Sequence, residues 1–155
     1  MASGKKPKSE DAVVARVIEL AQKNYNCSQI LVKLALEREG MENLDLVRSM
    51  AGLGDGCGQL NETCGLLTGA ACMLSWYAGR ESGNEVASEM LLPMLQDLGS
   101  WFEEEIQGHY SSTRCKDIVG DAVGTPEHQM ICGRLLLKTY AKTNEILEAY
   151  EFKPC

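Results

Sequence analysis

The sequence predicts an all-α fold, a single-domain helical bundle of about five to six helices. Apolar residues recur at intervals of three and four along nearly the whole chain, and no stretch alternates as a strand does. Helix-start signals stand directly ahead of these stripes, as in Asn26 with Gln29 three positions on, or Thr125 before Pro126. At 155 residues, the chain has the length of one domain with a sizeable core.

The first helix is expected from Ser9, with Glu10 and Asp11 in its opening turn and Val13, Val14, Val17, Leu20 and Ala21 on one stripe. A break at "NYN" leads to a second helix over 27–39, capped by Asn26, stopped by Gly40, and burying Ile30, Leu31, Leu34 and Ala35. A short helix over 44–51 precedes the glycine run "GLGDGCG" (52–58). Asn61 is expected to cap a helix reaching Ala78, whose small number of charges predicts a central position. The next helix is expected over 85–107, kinked at Pro93, with Leu91, Leu95, Leu98, Phe102 and Ile106 facing inward. A short turn carries Cys115. The last helix starts at Thr125 and turns Cys132, Leu135, Leu136, Thr139, Ile146, Leu147 and Tyr150 to the interior. The expected organisation is a flexible arm at 1–8, one domain over 9–150 and a frayed tail at 151–155.

Composition narrows the function. A net charge of −7 argues against nucleic acid or an anionic membrane as partner. No segment reads as a signal peptide or a membrane span, so the expected location is the cytoplasm, where thiols stay reduced. Seven cysteines are many for such a compartment, and a disulfide scaffold explains an odd number poorly.

Cys27, Cys64 and Cys115 each fall at the start of an expected helix, where unpaired N–H groups and the helix dipole favour an anion. Thiols in such positions have lowered pKa values, which suits a metal ligand or a redox nucleophile. Cys132 belongs to the inner stripe of the last helix. The competing view is that each is simply a small buried apolar residue. There is no C-x-x-C and no C-x-x-C-H, so a thioredoxin-type dithiol, a zinc knuckle and covalent haem are unsupported, and any shared site needs distant helices to pack together. His109 and His128 are weaker candidates for a mixed metal site. The glycine run lacks the Gly-Lys-Ser/Thr of a phosphate loop, and close backbone approach to another group explains it better.

In order, "NC" at 26–27, "GLGDGCG", "CGLLTG" at 64–69, "RCKDIVG" at 114–120 and the late Cys132 resemble the C_GCAxxG_C_C family of redox-active proteins. The resemblance runs over roughly residues 10–145. By position, Cys27, Cys64, Cys115 and Cys132 match the family's four cysteines, and Cys57, Cys72 and Cys155 are additional. Leu66 stands where the motif has alanine. Related sequence occurs in split-Soret cytochromes c, so the resemblance implies an iron–sulfur centre on the four cysteines, [2Fe–2S] before other types, in electron transfer or redox sensing. Zinc on the same four thiolates and a cycling cysteine pair stay open as alternatives. The acidic surface suits transient docking to a redox protein partner. Gly65 and Gly69 are spaced for tight helix packing, within the monomer in preference to across a homodimer.

Overall fold

The structure is a computed structural model and describes residues 9–83 and 85–152. The expected arm at 1–8 and the last three residues lie outside it. Seven α-helices are described: α1 (Glu10–Gln22), α2 (Cys27–Arg38), α3 (Leu44–Met50), α4 (Gly65–Ala78), α5 (Leu91–Ile106), α6 (Cys115–Val119) and α7 (Pro126–Ala149). The all-α prediction holds, with one or two helices more than expected, because the turn bearing Cys115 closes into α6. No strand is present among the described residues, only an isolated antiparallel bridge between Thr63 and Arg114.

Local signals fix most helix starts. The Ser9 hydroxyl accepts from Ala12 N–H, and Asn26 and Gln29 form a reciprocal capping box. Thr125 caps α7, with Pro126 at its first position. Two expected starts are corrected. α4 begins at Gly65 with Cys64 in the cap position, because 56–60 already form an irregular turn that ends at Asn61. α5 begins at Leu91 and not near 85, because Ser88 N–H is drawn to Ala78 C=O and the Ser88 hydroxyl accepts from Met90 N–H. Pro93 thus sits in the first turn, where its missing N–H costs no helical hydrogen bond. The expected frayed tail is ordered as far as Phe152. Phe152 N–H donates to Leu147 C=O and Glu151 N–H to Glu148 C=O, closing α7, while the ring packs on the core.

α4 is the central helix and packs on α2, α5 and α7. Leu66, Ala70, Met73 and Leu74 on α4 meet Leu31 and Leu34 of α2, Leu98 and Phe102 of α5, and Leu136 and Leu147 of α7 in one buried core. Contacts between the helices give their directions. Gly65 lies against Cys27 and Gly69 against Ser28 and Leu31. At the other end, the Tyr77 hydroxyl donates to Glu39. α2 and α4 therefore run parallel, and the glycine spacing is filled by α2 of the same chain. Arg38, at the end of α2, donates to Asn144, late in α7, so α7 runs the same way. Lys138–Glu105 and Tyr150–Asp97 set α5 antiparallel to α7, and the paired Arg16–Glu37 sets α1 antiparallel to α2. A consequence follows for placement. The starts of α2, α4 and α7 share one end of the bundle.

Candidate functional site

That shared end holds a cavity of about 650 Å³ lined by Cys27, Cys64, Cys115 and Cys132 together. Each of the four comes from a different helix or helix start. Cys27 is the first residue of α2, Cys64 the cap of α4, Cys115 the first residue of α6, and Cys132 lies two turns into α7. Cys64 and Cys115 are buried, Cys27 and Cys132 are half-buried, and all four are free.

Backbone pairing locks two of them side by side. Cys64 N–H donates to Thr113 C=O at 2.8 Å, and Cys115 N–H donates to Glu62 C=O at 3.0 Å, on either side of the Thr63–Arg114 pair. This is a fragment of antiparallel ladder, and it ties the starts of α4 and α6 together.

Gly56 of the glycine run and Gly65 at the start of α4 pack closely on two of these cysteines. Asp55, Gly56, Cys57 and Gly58 all adopt left-handed backbone angles, with φ of 52°, 56°, 60° and 79°. A Cβ on Gly56 would stand 2.8 Å from Cys115 Cβ, and one on Gly65 would stand 2.6 Å from Cys27 Sγ. Only glycine permits these approaches. Gly54 packs as tightly on the Asn26 side chain, whose amide donates to Ala51 C=O at 3.0 Å. The close-approach reading of "GLGDGCG" is therefore the one realised.

The N–H groups of Asp55, Ser28 and Cys27 serve the Cys27 sulfur, and those of Leu66 and Leu67 serve Cys64. These donors favour thiolates, yet burial outweighs them. Desolvation, then the neighbouring Cys27 and Cys115, push the Cys64 thiol up to about 12. Burial, Cys27 and Asp55 push Cys115 up to about 11. Cys27 and Cys132 are also raised, first by burial, and Cys132 further by the other three cysteines. The expected lowering at helix starts is thus overturned for the metal-free protein. A helix end is worth less than the loss of water around four mutually repelling sulfurs.

The remaining candidates separate. His128 lines the cavity one turn before Cys132, and its Nδ1 accepts from Gly124 N–H at 3.2 Å, whereas His109 packs beside Tyr110 and is not part of the lining. Cys57 is exposed, and Cys72 packs against the smaller cluster of Val32, Leu36, Val47 and Met50. Leu66, in the motif's alanine position, is fully buried and forms part of the cavity wall. Among the described residues, no three His, Cys, Asp or Glu side chains form a ready-made metal-ligand group. The four cysteines surround a space and do not close on one another.

Sequence reasoning missed two contributors. Asp55 lines the cavity but sits inside a run read only for its glycines. The second half of α1 supplies Val17, Ile18, Ala21 and Gln22 to the lining. The amphipathic stripe of α1 signalled that Val17 would be covered, but not by what.

The sequence profile of the family described as "Putative redox-active protein (C_GCAxxG_C_C)" matches residues 25–146, well over half of the chain. No curated protein and no solved structure matches significantly. The chain belongs to the C_GCAxxG_C_C redox-active family.

Proposed function

From that membership we propose that the protein holds an iron–sulfur cluster, [2Fe–2S], on Cys27, Cys64, Cys115 and Cys132, and serves in electron transfer or redox sensing. The observation that carries this reading is that four free cysteines from four separate helix positions line one cavity. The donor set fits the group: four thiols supply the ligands of a two-iron centre, and backbone N–H groups stand at two of the sulfurs. When bound, the cluster supplies one-electron chemistry. The chain's part is to hold four sulfurs on separate rigid elements, to supply N–H donors that favour the thiolate form, and to keep bulk water from the Cys64 and Cys115 side. No substrate chemistry is assigned to it. A redox protein partner meeting the acidic surface, in a reducing compartment such as the cytoplasm, completes the reading. No described helix is long and apolar enough to cross a membrane.

Anaerobic purification with iron and acid-labile sulfide analysis tests it. The expected result is a coloured protein with two irons and two sulfides per chain, lost in Cys64→Ser. A colourless, iron-free chain after reconstitution overturns the cluster. Zinc retained in place of iron, with no visible band, assigns the same four thiols to a structural site.

A dithiol reading draws on one specific feature, the ladder that sets Cys64 beside Cys115. A mass gain of two hydrogens on reduction, with no metal released, would favour it.

A further inference from the structure

The charge on the cavity wall is one-sided. Asp55 is its one acidic residue, and no Lys or Arg belongs to the lining. The exposed members of the lining are Ile18, Ala21, Gln22, Asn24, Asp55 and Gln129, so these form the mouth. Five of the six are uncharged, and the sixth is a carboxylate.

Asp55 is held there by its neighbours. Gly54 is wedged on Asn26, Gly56 on Cys115, and Asp55 itself takes a left-handed conformation, with φ of 52°. Its own N–H faces the Cys27 sulfur and favours the thiolate there. The backbone that carries Asp55 cannot move off the mouth without disturbing its packing on Asn26 and Cys115. Beyond burial, its carboxylate opposes ionisation of Cys27, Cys115 and Cys132.

We propose that Asp55 makes the cysteine cavity a charge-selective vestibule, which admits neutral and cationic small molecules and rejects anionic ones. A fixed negative charge at the mouth, with largely apolar walls and no Lys or Arg in the lining to offset it, raises the energy of any anion that enters. His128 is the one imidazole in the lining, and its Nδ1 accepts from Gly124 N–H. The rejected class includes carboxylate-bearing thiols and disulfides. Metal cations and neutral thiol reagents belong to the admitted class. The inference rests on the four cysteines forming one site, and not on which cofactor they hold.

The test uses metal-free, reduced full-length protein. The cavity cysteines are alkylated with iodoacetamide, which is neutral, and with iodoacetate, which is anionic. In both reactions a thiolate displaces iodide and forms the S–C bond. Peptide mass spectrometry reads each cysteine, and the amide-to-acetate rate ratio is normalised to that of 2-mercaptoethanol in the same buffer. The normalised ratio is expected to be well above one in the wild type and to fall about threefold or more in Asp55→Asn at low salt. Asparagine keeps the shape and tolerates the left-handed backbone. Asp55→Gly gives a second variant with the same backbone preference should the first fold poorly. The wild-type ratio should also shrink as salt is raised, which a purely structural role would not produce.

Glu89→Gln removes the same net charge elsewhere. The Ser88–Ala78 hydrogen bond places that residue by the far end of α4 from Cys64, and the ratio should not change. Equal ratios in the wild type and both Asp55 variants overturn the proposal. An equal fall in Glu89→Gln also overturns it, assigning the effect to overall charge. A chain that never takes up iron defeats the cluster reading and leaves this measurement intact.

Discussion

The two ends of the α2–α4–α7 trio are built on opposite rules. At the far end every helix end finds a polar partner. Tyr77 donates to Glu39, Arg38 to Asn144, and Arg16 bridges Glu19 and Glu37. At the cysteine end the chain instead collects four thiols, a left-handed glycine run and a cavity. Among the described residues no buried side-chain nitrogen or oxygen lacks a partner, while the cysteines there are all free thiols. One end is closed by polar side-chain pairs. The other keeps its thiols free around a cavity.

The sharpest way to break this contrast is at Gly65. A methyl there meets Cys27 Sγ at 2.6 Å and Leu53 C=O at 2.8 Å, so Gly65→Ala should cost about 1–3 kcal/mol and displace Cys27. Urea unfolding and iron loading read the two effects, and both should fall. Gly99→Ala, in the middle of α5 with nothing within 4 Å, should instead stabilise by about 0.5–1 kcal/mol.

Removing one hydrogen bond at the far end should be milder and confined to stability. Tyr77→Phe is expected to cost about 0.5–1.5 kcal/mol by urea unfolding, with iron loading unchanged. A loss of iron in this variant would mean that the two ends are coupled.

The thiols give the metal-free protein an alkaline limit. Folded-state values of about 12 for Cys64 and about 11 for Cys115 stand above the 9.0 of an exposed thiol. The folded state thus prefers the neutral thiols. Their contribution is full below pH 9 and is lost as pH rises through 11 to 12. The melting temperature of metal-free protein should decline over that window, and a Cys64→Ser variant should decline less. Bound metal reverses the sense, because it needs the thiolates.

The smallest change belongs to the exposed Cys57. Cys57→Ser should alter stability by no more than about 0.5 kcal/mol and leave iron loading intact.

Much of the fold was legible in the sequence because its cues are local. The Ser9, Asn26 and Thr125 caps and the apolar stripes need only neighbours three or four residues away. The start of α4 was misplaced because Asn61 looks like a cap, while the left-handed turn before it reads only as glycine. The start of α5 was misplaced because the Ser88–Ala78 hydrogen bond crosses a loop. For the site, the four cysteines were identified by resemblance, and their meeting at one cavity depends on α2, α4 and α7 running parallel. No local pattern encodes that direction. The raised thiol values were missed for a related reason: helix starts are visible in sequence, but the depth of their burial is not.

The Thr63–Arg114 bridge also bears on how the protein is made. It joins segments separated by all of α4 and α5, and the fourth sulfur waits on α7. Closing such long loops is slow compared with forming a helix. A chain still emerging from the ribosome holds at most three of the four cysteines near one another until α7 is out. Any group that needs all four thiols therefore has to wait until α7 has docked.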